Sequence, residues 1–221
     1  MKILNRACLA YNTIVTLVEV GRVNKKHYFS TRDLVAIALL GSLGAALSTY
    51  IGYLARAVGN AIGLPYGGQL LSGLHVFWII LVLALVDKKG AGLLAAVLDT
   101  VVQFMMGSHL GIFVLPVGLM EGIFAELGYW PLKRYSRILS FLLAGGLSTW
   151  SNLLIVRLAF SKMFVNPALF RIVSICAFAS GVVFAGLLSY GVIKILQLAG
   201  LAKAEAGAAT QNKIENSLVE S

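Results

Sequence analysis

Charged side chains are scarce in this sequence. Asp, Glu, Lys and Arg make up 12% of its 221 residues, whereas 59% of the residues are hydrophobic. A soluble domain averages about 25% charged residues, so the composition excludes an ordinary soluble protein. Several apolar runs reach the roughly 20 residues that cross a bilayer core, and they do not alternate as the strands of a membrane barrel do. The sequence therefore predicts an all-α, polytopic membrane protein.

Motifs for catalysis, metal binding and nucleotide binding are also missing. The two cysteines, Cys8 and Cys176, lie far apart without metal-ligand spacing. The sequence has no ATP-binding loop, no G-x-S-x-G and no H-E-x-x-H, which argues against an ATPase and an intramembrane enzyme. The net charge of +9 comes without any RNA- or DNA-binding motif. We therefore expect no metal, no cofactor and no nucleic-acid partner.

The apolar runs predict a six-helix transmembrane bundle within residues 29–198. Residues 1–28 are apolar but interrupted by polar side chains, and are interpreted as an interfacial or cytoplasmic segment or as a mis-started extension. Residues 199–221 are polar and Ala-rich, which is typical of a flexible cytoplasmic tail. The predicted spans are about 33–55, 69–87, 90–107, 110–131, 138–160 and 169–197.

The distribution of Lys and Arg predicts the orientation in the membrane. With the N-terminus inside, only four of the 18 Lys and Arg residues fall outside, namely Arg56, Arg157, Lys162 and Arg171. Positive residues collect on the cytoplasmic side of the cell membrane, so both termini are expected on that side. The Gly-rich segment 56–68 should then be an irregular outer loop, of the kind that often acts as a lid.

Carboxylates stand in the most apolar part of the chain, residues 98–127. Asp99 and Glu121 lie about 14 to 17 Å along their helices and so near mid-bilayer; Gln103 shares the face of Asp99, and Glu126 lies deeper. A carboxylate facing lipid at this depth costs about 2.5 kcal/mol or more. We therefore expect Asp99 and Glu121 to face one cavity, where at least one is the counter-charge of a cationic ligand. Glu126 is a less certain candidate for the binding site.

Polar and aromatic residues of two other spans could complete such a site. His75 and Trp78 lie at helical spacing in the second span, and Trp150 and Asn152 lie in the fifth. A Trp face beside a carboxylate suits a flat cationic heterocycle. A structural histidine and Trp as core filler remain the alternatives.

Small residues form two ladders in the first span. Ala38, Ser42 and Ala46 make one, and Gly41 and Ala45 make the other. Such residues let helices approach closely in lipid. They predict either packing inside the bundle or a docking surface for another membrane protein.

The stretch "KKGAGLLAAVLDTVVQFMMGSHLGIFVLPVGLMEGIFAEL" resembles the S components of energy-coupling factor (ECF) vitamin transporters, specifically the YkoE type linked to thiamin and its hydroxymethylpyrimidine precursor. The resemblance rests on the basic Gly-Ala start, an acidic third span and the run Gly118, Gly122, Ala125 and Glu126. It is strongest over 85–130 and only topological after 138. The family pattern has a glutamate where this chain has Gln103 and a glutamine where it has Glu121, which leaves the ligand-binding carboxylate open.

The resemblance implies a subunit that binds a vitamin in its outer half and hydrolyses no ATP. Such a subunit docks onto a transmembrane T component driven by two ATPase subunits. The alternative is a free-standing proton-coupled carrier, with Asp99 and Glu121 as a proton relay. The lack of an inverted repeat counts against that alternative.

Overall fold

The computed structural model describes residues 28–62, 67–108, 110–159 and 167–200. Contacts divide the chain into two units, residues 1–32 and 33–221. Only residues 28–32 of the first unit are described, and the rings of Tyr28 and Phe29 meet there edge to face. The predicted N-terminal segment and cytoplasmic tail therefore lie almost entirely outside the described residues.

The described part of the chain is helical. Two short 3₁₀ turns, Gly67–Leu70 and Gly111–Phe113, precede α2 and α4. A π-helical segment, Gly181–Leu187, joins α6 to α7. The helices are α1 (Thr31–Ile62), α2 (Ser72–Val86), α3 (Ala91–Met105), α4 (Val114–Lys133), α5 (Arg137–Ala159), α6 (Pro167–Ser180) and α7 (Leu188–Leu198).

Within the residues that the structure describes, four stretches are long and apolar enough to cross a membrane: Thr31–Ala61, Gly111–Lys133, Arg137–Leu158 and Phe170–Leu198. This confirms a helical, polytopic membrane protein. Helices α2 and α3 are apolar but have 15 residues each. They extend about 22 Å, less than the roughly 30 Å of a bilayer core. The six-span count and the inside position of both termini therefore stay predictions.

Helix α1 is longer than predicted. Residues 56–62 were expected to open an irregular loop, but they continue the helix to Ile62. The extension contains the good helix formers Arg56, Ala57 and Ala61, and a single Gly59 costs only about 1 kcal/mol. Residues 63–66 of the expected lid lie outside the described residues.

Glycines bring α3 and α4 into close contact. A Cβ added at Gly118 would come within 1.9 Å of the Thr100 methyl group, and one at Gly122 would lie 2.8 Å from the Ala96 Cβ. The two glycines are one helical turn apart, so they form a flat strip that accepts α3. This contact fixes the register between the helix of Asp99 and the helix of Glu121.

Ion pairs tie three helix ends together at one end of the bundle. Lys88, in the turn between α2 and α3, contacts Asp33 of α1 at 2.6 Å. Lys133 at the end of α4 contacts Asp87 at 2.5 Å. At the opposite end of α1 and α3, the Tyr53 hydroxyl donates a hydrogen bond of 2.6 Å to the Gly107 carbonyl.

Helix α5 packs against the π-helical segment through glycines on both sides. An added Cβ at Gly145 would lie 2.5 Å from the Gly181 carbonyl oxygen. One added at Gly181 would meet both the Gly145 oxygen and the Thr149 hydroxyl at 2.4 Å. Backbones this close leave no room for side chains, which explains why small residues recur in both helices.

Candidate functional site

His75 and Glu121 form a buried pair between α2 and α4. The His75 Nε2 atom lies 2.9 Å from each carboxylate oxygen of Glu121. On its other side, His75 Nδ1 is 2.9 Å from the Ser72 carbonyl oxygen. The Glu121 side chain is 1% exposed and that of His75 is 16% exposed. The histidine predicted as a weak candidate is therefore the direct partner of the mid-membrane glutamate.

Asp99 and Gln103 form the neighbouring part of the site on α3. Gln103 Nε2 donates a hydrogen bond of 2.5 Å to Asp99 Oδ2, as their spacing of one helical turn allows. Both side chains are buried. The other carboxylate oxygen, Asp99 Oδ1, is buried without a hydrogen-bond partner in the part of the chain that the structure describes. A buried acceptor without a partner carries a desolvation cost, which a bound donor or cation would remove.

These four side chains constitute one polar cluster, made of His75, Asp99, Gln103 and Glu121. The charge of Asp99 interacts electrostatically with both His75 and Glu121. Three helices contribute, and the glycine contact between α3 and α4 holds two of them in register. Within the described ranges, no group of three His, Cys, Asp or Glu residues is arranged to hold a metal ion.

Helix α5 supports the cluster from behind. The Ser148 hydroxyl donates a hydrogen bond of 2.9 Å to the backbone carbonyl of Glu121. Ser148 is fully buried. In the sequence, Ser148 lies one helical turn before Asn152, which by itself indicates only a shared face of α5. Its contact with the backbone of α4 could not be read from spacing, because it depends on how the two helices are rotated.

Three other predicted ligand residues make no hydrogen bond to the polar cluster within the described residues. Trp78 packs beneath Gly44 of α1, where an added Cβ would come within 2.6 Å of the Trp78 side chain. Trp150 is partly exposed and Asn152 is buried on α5. Among the described residues, no hydrogen bond joins Trp150 or Asn152 to the polar cluster. Their role in ligand binding therefore stays a prediction.

Glu126 caps the start of α3. Its Oε2 accepts a hydrogen bond of 2.9 Å from the Gly90 backbone N–H, and its Oε1 accepts one of 3.2 Å from Leu93. These are N–H groups of the first turn, which have no partner inside the helix. The negative charge also faces the positive end of the helix dipole. Glu126 thus has a structural contact that explains a carboxylate at this depth.

The two small-residue ladders of α1 have different surroundings. Ala38 and Ser42 are exposed and Ala46 is partly exposed, so this ladder faces outward. Gly41 and Ala45 are buried, and an added Cβ at Gly41 would lie 3.2 Å from Leu98 of α3. The second ladder therefore packs inside the bundle, and the first lies on the outer surface of α1.

Comparison with known protein families finds one family that matches more than half of the chain. Residues 32–151 match the family described as the permease component of an ABC-type cobalt transport system. The chain belongs to this family. The matched region contains the whole polar cluster and the glycine contact between α3 and α4. No curated protein matches the chain.

The fold of this permease-family chain is that of a solved S component. It is similar to "Crystal structure of an S-component of ECF transporter", with a TM-score of 0.72 over 87% of this chain and 98% of that one. The sequences are 18% identical, so the likeness concerns the fold. The expected S-component fold is confirmed, whereas the six-span count and the position of the termini stay predictions.

Proposed function

We propose that the protein is the substrate-binding S component of an ECF-type importer in the cell membrane. It captures thiamin or a related pyrimidine from outside and passes it to a transmembrane T component powered by separate ATPase subunits. The family of permease components and the S-component fold support this role. The thiamin class is supported by the resemblance of residues 85–130 to the YkoE type.

The observation that carries the proposal is the unpaired carboxylate oxygen of Asp99. It is buried at mid-helix depth next to the His75–Glu121 pair. A carboxylate in such a dry position needs a cation or an N–H donor as its partner. Thiamin offers both, since its thiazolium carries a permanent positive charge and its aminopyrimidine carries N–H groups.

Cobalt is the cargo named in the family description. The polar cluster favours an organic cation over this metal, because the described residues include no group of three ligating side chains arranged around one point. Transition-metal sites also need several ligands at about 2 Å from the ion. Co²⁺ therefore belongs in the binding experiment as a competing ligand.

The outward-facing ladder of α1 is the proposed contact with the T component. Ala38 and Ser42 present small side chains on the exposed face, where a second helix could approach closely. Gly41 and Ala45 serve the bundle itself.

Binding by the isolated chain tests the proposal. The purified protein in mild detergent is titrated with thiamin, hydroxymethylpyrimidine and Co²⁺ in a calorimeter, without ATP and without other subunits. We expect saturable binding of thiamin or the pyrimidine and none of Co²⁺. Saturable Co²⁺ binding with no response to either organic ligand would contradict the proposed substrate.

A second arm separates the importer subunit from a proton-coupled carrier. The chain is reconstituted alone in liposomes with a proton gradient and labelled thiamin. An S component without its T component and ATPases should not accumulate thiamin. Gradient-driven accumulation by the chain alone would establish the carrier instead.

A further inference from the structure

The hydrogen bonds of His75 fix the number of protons on the His75–Glu121 pair. A backbone carbonyl can only accept, so His75 Nδ1 must carry a hydrogen to bond to Ser72 at 2.9 Å. The contact of Nε2 with the Glu121 carboxyl group at 2.9 Å needs a second hydrogen, because two acceptors do not hold each other at this distance. That hydrogen lies on Nε2 or on the carboxyl group.

The pair is electrically neutral in either case. With the hydrogen on Nε2, an imidazolium faces a carboxylate. With the hydrogen on Glu121, a neutral imidazole faces a carboxylic acid. Glu121 therefore contributes no net charge to the site as long as His75 is its partner.

Asp99 is then the source of net charge in the cluster. Gln103 binds it through a neutral amide. The charged or titratable groups that act on His75 are Glu121 from α4 and Asp99 from α3, within the described residues. An ionised Asp99 beside a neutral pair gives the cluster one negative charge.

We propose that His75 is a positioning residue that sets the charge of the binding site, making it selective for ligands with a single positive charge. This inference rests on the proposed function, because it specifies the charge of the substrate in the same site. His75 acts through Glu121: by sharing one proton with it, the histidine keeps two neighbouring carboxyl groups from presenting two charges.

Three variants separate this role from simple packing. Glu121→Gln leaves a neutral imidazole beside a neutral amide, so the net charge of the site is unchanged. His75→Gln leaves Glu121 beside Asp99 without a shared proton. Two neighbouring carboxylates do not both stay ionised easily, so this variant should take up a proton and release it as the pH rises. The double variant His75→Gln with Glu121→Gln removes the extra carboxyl group again.

The binding test measures thiamin affinity by calorimetry from about pH 6.5 to 8.5, a range that buried, like-charged carboxyl groups can reach. We expect the wild type, Glu121→Gln and the double variant to share one pH profile, which Asp99 alone determines. The His75→Gln profile should rise more steeply with pH than this shared profile, by up to about a further tenfold per pH unit for the one additional linked proton. If the double variant loses the additional pH dependence of His75→Gln, that dependence comes from Glu121. A packing defect caused by His75→Gln would remain in the double variant. A His75→Gln profile no steeper than that of the wild type, or a Glu121→Gln variant as weak as Asp99→Asn, would overturn the proposal.

A ligand-free test keeps this inference distinct from the proposed function. The chain has three histidines, so ¹⁵N-histidine NMR of the detergent-solubilised protein can assign His75 by comparison with His27→Gln and His109→Gln. We expect the His75 nitrogen shifts to stay constant over the same pH range. Titration like that of a free imidazole, with a midpoint near about 6.5, would overturn the proposal. If thiamin fails to bind while the shifts stay constant, the proposed substrate fails and the charge assignment stands.

Discussion

Glu126 and Glu121 are carboxylates five residues apart on one helix, and they have different roles. Glu126 accepts hydrogen bonds from the first turn of α3, whereas Glu121 faces His75. This divergence follows from helix geometry, because five residues turn a helix by about 140°. The sequence predicted that Asp99 and Glu121 lie at similar depth. It could not predict the His75 contact, since that depends on the rotation of α2 about its own axis.

Replacing Glu126 by Gln should destabilise the protein without weakening ligand binding. The amide keeps one acceptor but loses the charge and the second acceptor at the start of α3. Loss of a helix cap of this kind costs about 1 kcal/mol. Thermal unfolding in detergent measures the change, and thiamin calorimetry below the transition measures affinity.

Asp87→Asn is the matched control for Glu126. Asp87 lies at the same end of the bundle, but its ion pair with Lys133 is exposed, and exposed pairs contribute little. We expect its unfolding temperature to stay close to that of the wild type. Equal stability of Glu126→Gln and Asp87→Asn would argue against the capping role.

At the scale of helices, the strip of Gly118 and Gly122 determines how the site is assembled. The run G-x-x-x-G in α4 was visible in the sequence, and its contact with Thr100 and Ala96 of α3 follows from the small size of glycine. The helical extension of α1 to Ile62 was not predicted, because the glycines of residues 56–68 favoured an irregular loop. The π-helical segment was not predicted either, because it depends on the close packing of Gly181 against Gly145 of α5.

Gly118→Ala should separate α3 from α4 and loosen the polar cluster. The new methyl group would overlap the Thr100 methyl at 1.9 Å, and overpacking typically costs about 1–3 kcal/mol. We expect a lower unfolding temperature together with weaker thiamin binding, because the separation shifts Asp99 relative to Glu121.

Thr100→Ser supplies the rescue, because it removes the methyl group that the new side chain meets. The double variant should recover much of the lost stability and affinity. Gly191→Ala is the matched control, since an added Cβ there has nothing within 4 Å. It should leave stability unchanged or slightly raised. A Gly118→Ala variant that behaves like Gly191→Ala would contradict the close contact.

At the scale of the whole molecule, the apolar exterior suits contact with lipid, and the exposed ladder of α1 is the proposed contact with the T component. Large apolar side chains such as Leu39 and Ile172 are more than half exposed, as a lipid-facing surface requires. Composition predicted this exterior because charge is so scarce. It could not separate the outward ladder from the inward one, since small residues suit both internal packing and docking.

Ala38→Trp should abolish association with the T component while leaving thiamin affinity unchanged. The indole would keep a second helix from approaching the exposed ladder, but it points away from the polar cluster. Co-purification with tagged T component and ATPase subunits measures association, and calorimetry measures binding. Ile172→Trp, on the exposed face of α6, is the control and should assemble normally. Loss of ligand binding in Ala38→Trp would show that this ladder also serves the bundle.

The most direct test of the account compares thiamin with its neutral thiophene isostere in the wild type and in Asp99→Asn. Asn keeps the size of the side chain and can still accept the hydrogen bond from Gln103, so the variant removes mainly the charge. Losing a charge-assisted contact in a buried site costs about 1.5–3 kcal/mol, or about tenfold to a hundredfold in affinity. We expect this loss for thiamin and no loss for the isostere, measured by calorimetry on the isolated chain. An unchanged thiamin affinity, or an equal loss for both ligands, would contradict Asp99 as the counter-charge.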